Sequence, residues 1–225
     1  VYKRQIKMSN GEKFFRRRQF VLGPEYFNFE GWNKYEIAAG YFLTVHPDLP
    51  IQQVRAQDNS ITLLGFMIDP YHPEREEAAI LDGMIPEINS VEDMVSCLLR
   101  MSGRFVIIAK LGKKEWIFHD AAGLRQVLYC KDEYGSTWCA SQAETLAERM
   151  KFSKDQEVLE YRNAAIFKDG RNEFWLVNDR TSYKEIFQLL PNHYLDVQQG
   201  KAIRFWPKKK CITSLSVKEA VRLSI

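Results

Sequence analysis

Thiols, imidazoles and guanidinium groups are the side chains in this sequence whose chemistry could be read from type and spacing. The four cysteines, Cys97, Cys130, Cys139 and Cys211, form no CxxC pair, and three of them sit in apolar, strand-like or helical context. Reduced, buried thiols are the expectation for such positions, and metal ligation through them is not. His46, His72 and His193 neighbour prolines or turns and share no ligand spacing. His119 ends an apolar run with no nucleophile beside it, so a hydrogen-bonded structural histidine is expected there. The basic runs Arg16 to Arg18 and Lys208 to Lys210 are short, and solvated loops account for them. No glycine-rich nucleotide loop occurs, so no ATP site is expected within the chain.

Composition narrows the class further. The 225 residues carry a formal net charge of +3, with 45% hydrophobic and 27% charged residues, as in an ordinary soluble globular protein. A charge of that size gives no reason to expect nucleic acid as a partner. No apolar run approaches the roughly 20 residues of a membrane span, and no signal-peptide pattern opens the chain, so a cytoplasmic protein is expected.

Hydrophobic patterning then supplies the elements that must hold these side chains. Ile61 to Ile68 is a continuous apolar run, the mark of a strand buried on both faces. From Gly103 to Ala147 the chain alternates apolar runs and turns: Phe105–Ala109, a turn at Gly112, Glu115–His119, a tight connection over Asp120 to Gly123, Val127–Cys130, a turn over Asp132 to Gly135, and Thr137–Ala140. Ser141 followed by Glu144 suggests a capping box opening a helix that ends near Met150. Ser90 and Asp93 suggest another, opening a helix over Val91 to Met101 with Met94, Cys97, Leu98 and Met101 on its core face. Further strands are expected at Gln19–Leu22, Tyr35–Val45 and Gln52–Ala56, and a hairpin from Tyr194–Val197 and Ala202–Trp206. Helices are expected at Glu74–Asp82, Lys154–Ala165, Ser182–Leu189 and Ser216–Ile225, and the tryptophans are expected in the core. Pattern alone yields an α+β fold.

Two stretches carry a family resemblance. The segment HDAAGLRQVLYC…GSTWCASQAETLAE resembles the RDxxGxRPLYY…SExkaL stretch of the glutamine amidotransferase domain of asparagine synthetases, and EIFQLLPNHYLDVQQGKAIRFWP, from Glu185 to Pro207, resembles that domain's xIxxLPPGhyLxxxxGxxxxYW. With a weaker match at Leu63 to Phe66, the likeness spans roughly residues 61–207. It implies an α+β four-layer αββα sandwich of two mainly antiparallel sheets, of the Ntn-hydrolase, class II amidotransferase type. It also implies a glutaminase-like domain over residues 1–212, with 213–225 beginning a following synthetase domain or a linker helix.

The resemblance further implies what chemistry to look for. In that family an N-terminal cysteine is the nucleophile and its own α-amine the base. No cysteine stands near Val1, so the catalytic assignment is none. The family's oxyanion triplet, Asn-Gly-Glu, corresponds here to Leu64, Gly65 and Phe66, a vestigial glutamine pocket. Leucine cannot donate a hydrogen bond, and losing one oxyanion donor costs about 10²–10³ in rate. The family acid that holds the substrate amine falls on Glu92 or Asp93, and the arginine for its carboxylate on Arg55, an ordinary surface position. Asp120, Gly123, Arg125 and Ser141 match the family motif and are expected to shape a turn and cap a helix.

The function so implied is a catalytically degenerate glutaminase-like scaffold for an ATP-dependent amide-forming synthetase domain. That ATP-pyrophosphatase domain, in the same polypeptide, is the expected partner, with a homodimer as a further assembly. ATP and Mg are expected only there, and no cofactor or metal in this domain. Two alternatives stand beside it: an active class II glutaminase whose N-terminal Cys is missing from this chain, and a non-enzymatic protein-interaction module.

Overall fold

The computed structural model describes residues 16–38, 40–168 and 176–208, with Ser216 and Arg222 as isolated positions. The expected helix over Ser216–Ile225, the domain boundary at 212/213 and Cys211 therefore lie outside the described residues.

The described chain folds as α+β, with two antiparallel sheets of six strands each. One sheet is a nearly continuous meander. β4 (Ile51–Ala56), β5 (Asn59–Ile68), β6 (Ser102–Leu111) and β7 (Lys114–His119) are consecutive neighbours, extended by β11 (His193–Asp196) and β12 (Lys201–Arg204). Its spine is the β5–β6 ladder, which runs from Ser60 opposite Lys110 to Ile68 opposite Ser102. The other sheet is ordered β10-β8-β9-β1-β3-β2, from β1 (Phe20–Gly23), β2 (Asn33–Ala38), β3 (Tyr41–Val45), β8 (Leu128–Lys131), β9 (Thr137–Ala140) and β10 (Phe187–Gln188).

Alternation along the strands sorts the apolar side chains into three layers. Phe20, Leu22, Leu43, Val45, Leu64, Val106, Ile108, Ile117, Cys139 and Leu195 form one cluster drawn from both sheets, the seam between them. Their immediate neighbours in sequence point the other way. Ile61, Leu63, Phe105, Ile107 and Phe118 pack with Ile80, Leu81 and Met84 of α1 (Glu77–Met84) and with Met94 and Cys97 of α2 (Val91–Leu98). Val21, Leu128, Cys130, Trp138 and Ala140 pack with Leu146 and Ala147 of α3 (Ala143–Met150). A fourth helix, α4 (Gln156–Arg162), buries only Val158, and its Tyr161 is exposed.

Several elements differ from the sequence expectation, each for a local reason. Tyr35–Val45 is not one strand but a hairpin, β2 and β3, turned at Gly40, whose φ of +82° favours glycine. Ser182–Leu189 is not a helix: Thr181 Oγ1 accepts from Tyr183 N at 3.1 Å and donates to Ile186 O at 2.8 Å, closing a side-chain turn. The residues that follow join the sheet, Gln188 N bonding Asp179 O and Leu189 N bonding Val127 O, both at 2.8 Å. Tyr26 to Asn33, aperiodic in sequence, contributes Phe27, Phe29 and Trp32, stacked at centroid distances of 4.5 Å over the outer face of the β1 sheet. Trp206 is exposed rather than buried. Ser90 does cap α2, its Oγ accepting from Asp93 N at 3.1 Å, while Asp93 reaches back to Asn89 N.

Candidate functional site

The expected vestigial triplet lies within the β5–β6 ladder, Leu64 opposite Val106, Gly65 opposite Phe105 and Phe66 opposite Arg104. Leu64 is fully buried in the seam between the sheets. Gly65 has φ +107° and donates its N–H to Pro50 O at 2.9 Å, prolonging the β4–β5 ladder. Phe66 turns outward and is 46% exposed. A Cβ on Gly65 would lie 2.3 Å from Arg104 O and 2.8 Å from Arg125 Nε, so the missing side chain makes room for a guanidinium.

That guanidinium is positioned from below by the β7–β8 connection. Asp120, 2% exposed, accepts Leu124 N and Arg125 N, each at 2.9 Å, through its two carboxylate oxygens. Gly123, with φ +64°, closes the turn by donating to Asp120 O at 2.8 Å and lies against the His119 ring. Asp120 and Gly123 therefore shape a turn, as expected. Arg125 then reaches across, its Nε toward Arg104 O at 3.4 Å and its Nη1 toward Arg18 O at 3.3 Å. Burial pushes the Arg125 guanidinium below its ordinary pKa, and the Arg104 and Arg18 charges push the same way against Asp120.

Ser141 does not cap α3, which corrects the expectation. The N-cap of α3 is Gln142, whose side chain makes no capping hydrogen bond, and Ser141 continues the β1–β9 ladder instead. Its N–H donates to Phe20 O at 3.2 Å while its Oγ accepts Phe20 N at 3.0 Å. A hydroxyl thus replaces a carbonyl at the last rung of that ladder.

Around Gly65, Arg125 and Ser141 lies a cleft of about 750 Å³, also lined by Arg17, Arg18, Phe66, Arg104 and Leu124. The other residues that the sequence offered for substrate binding lie elsewhere. Arg55 pairs with Ser60 at the opposite end of β4 and bonds Gln53 and Glu36 O. Glu92 and Asp93 sit on the first turn of α2, Glu92 facing Lys208 at 3.6 Å. Spacing alone did not reveal Arg18 and Arg104. The run Arg16 to Arg18, expected in a solvated loop, divides into distinct roles. Arg16 is buried, bonding Glu148 at 2.7 Å and lying 5.0 Å from the Phe29 ring centre, whereas Arg17 and Arg18 are exposed at the cleft. A basic run directly before an apolar strand was the available signal.

No described thiol approaches Gly65. Cys97, on α2, packs against the outer face of the β5–β6 sheet, Cys130 lies under α3 and Cys139 in the seam between the sheets. Burial raises all three thiol pKa values, that of Cys130 to about 12 and that of Cys139 well above the usual range, so none is a thiolate near neutral pH. His119 is buried, with Nε2 2.9 Å from Leu190 O and no partner for Nδ1 among the described residues. A carbonyl partner requires Nε2 to carry the proton, and burial holds the ring below its ordinary pKa, hence neutral. Among the described residues no group of three or more His, Cys, Asp or Glu gathers as metal ligands, and no helix is long and apolar enough to cross a membrane.

Comparison of the sequence with protein-family models and with curated proteins found no match.

Proposed function

We propose that this chain is a catalytically silent glutaminase-like domain of the Ntn-hydrolase, class II amidotransferase type, serving as scaffold for an ATP-dependent amide-forming synthetase domain. Two facing six-stranded antiparallel sheets with helices on their outer faces support the architectural half of this reading. The two sequence stretches that resemble the asparagine synthetase amidotransferase domain lie in it as the β7–β9 segment with α3, and as the β10–β12 segment.

The observation that carries the silent half is the state of Leu64 and Gly65. An oxyanion hole needs donors aimed at an open position where negative charge develops. Here the Gly65 N–H is already bonded to Pro50 O, and its predecessor is a leucine sealed into the seam. The described thiols are buried in three separate packing layers, so no described thiol faces that position.

The test is ammonia release from glutamine by the full-length protein, with and without a cysteine-directed reagent. The expected outcome is no thiol-dependent release, while ATP cleavage by the associated synthetase domain, supplied with ammonia, continues after thiol blocking. Glutamine-dependent ammonia production abolished by the reagent would overturn the proposal in favour of a working glutaminase.

A further inference from the structure

The Gly65 cleft is unusual in its charge. Arg17, Arg18, Arg104 and Arg125 line it, and among the described residues no carboxylate does. Arg17 is neutralised at the rim by Asp48, 2.6 Å away, and that pairing holds the Asp48 carboxyl below its ordinary pKa. The other three form no salt bridge among the described residues. Arg104 gives its Nε to Leu124 O at 3.1 Å, and Arg125 spends Nε and Nη1 on the Arg104 and Arg18 carbonyls. Those bonds fix the Arg104 and Arg125 guanidinium groups, and only the buried Asp120 carboxylate offsets part of the Arg125 charge. The nearby Asp120 carboxylate is buried beneath the loop and committed to two backbone N–H groups.

Three like charges gathered at one opening, two of them held by backbone carbonyls, repel one another, and a bound anion relieves that repulsion. Guanidinium forks match the paired oxygens of phosphate, and a site of about three positive charges favours a multiply charged group over a single carboxylate. The rest of the lining bears on the body of the ligand. Phe66 and Leu124 stand 46% and 57% exposed beside the arginines, giving an apolar contact at the same opening. The cleft, at about 750 Å³, has the size of a small-molecule site. Another large cleft, about 780 Å³ beside Trp138, lacks this imbalance, since Asp132, Glu133 and Glu185 line it together with Lys131, Arg149 and Lys151.

We propose that the Gly65 cleft binds a phosphorylated small molecule, its phosphate or diphosphate group seated among Arg18, Arg104 and Arg125 and its apolar portion resting on Phe66 and Leu124. The Gly65 surface thus forms the floor of an anion site, a role that requires no nucleophile.

Calorimetric titration of the full chain with inorganic pyrophosphate, at ionic strength held constant with sodium chloride, tests it. The expected result is saturable one-to-one binding, weakened about tenfold by Arg18→Gln and by Arg104→Gln, each of which removes a charge-assisted contact. Arg55→Gln, at the far end of β4, is expected to leave binding unchanged. Should a cleft variant misfold, arginine modification of the unmutated protein by phenylglyoxal gives the same information. Pyrophosphate is then expected to shield Arg18 and Arg104 and not Arg55. Absence of saturable binding above the sodium chloride control would overturn the proposal, as would equal weakening by Arg55→Gln. Citrate binding as tightly as pyrophosphate would overturn the assignment to phosphate. None of these measurements uses glutamine turnover, so they stand or fall separately from the scaffold proposal.

Discussion

Gly65 shows how one residue can look like a remnant of chemistry and still be demanded by packing. Its φ of +107° lies where a β-carbon is strained, and the nearest atoms to that carbon would be the Arg104 carbonyl and the Arg125 guanidinium. Gly65→Ala is therefore expected to destabilise the fold by about 1–3 kcal/mol from backbone strain, before any displacement of Arg125 is counted. The urea midpoint of unfolding measures it. An unchanged midpoint would show that β5 relaxes freely at this position. Leu64 makes the complementary point: a fully buried side chain between two sheets is selected for volume and apolarity, so its identity speaks of the seam.

At the scale of elements, the sequence was most legible where strands are long and buried on both faces. Ile61–Ile68 and the run from Phe105 to Ala140 carry a strong period-two or continuous apolar signal; β7, β8 and β9 lie within a residue of expectation, while β5 and β6 extend beyond it, to Asn59–Ile68 and Ser102–Leu111. Legibility failed where side-chain hydrogen bonds decide the backbone. Thr181 converts an apparent helix into a turn and a two-residue strand, and nothing in hydrophobic spacing records a hydroxyl bonding two residues ahead. Ser141 failed differently. Its type and distance from Glu144 satisfy the capping rule, but Phe20 opposite it in the ladder claims the hydroxyl first. Ser141→Ala is accordingly expected to cost about 1–3 kcal/mol, the penalty for an unsatisfied buried amide, and to speed hydrogen exchange at Phe20 rather than along α3. Exchange measured by NMR distinguishes the two sites, and acceleration confined to α3 would restore the cap assignment. The arginine cleft was illegible for a third reason. Its members come from residue 17 to residue 125, and only the folded topology brings them together.

For the molecule as a whole, His119 ties the sheets together. It ends β7 in one sheet and holds Leu190, which lies on the connection from β10 in the other sheet to β11. Burial lowers its pKa first, with His193 pushing the same way, against the Leu190 carbonyl and Asp120. The unfolded chain therefore takes up a proton near the ordinary histidine value of about 6.5, where the native ring stays neutral. More protons on the unfolded state means that stability falls as pH drops through that region, and is fully expressed above it. Thermal unfolding followed between pH 8 and pH 5 is expected to show this decline, and His119→Gln to make it shallower. His46, also held low by burial, remains as a contribution of the same sign. A profile as steep in the variant as in the parent would remove His119 from the account.

The strand order also carries a consequence in time. β4 to β7 meet one another as the polypeptide emerges, each strand finding its neighbour ready beside it. β1, made much earlier, sits between β3 and β9, and β9 begins at Thr137, more than a hundred positions downstream. The first described strand thus waits half-paired, one flank of amides and carbonyls open, until more than a hundred further residues have been translated. Proteins of this topology meet their greatest hazard of mispairing on the ribosome, before the later strand arrives to seal that flank.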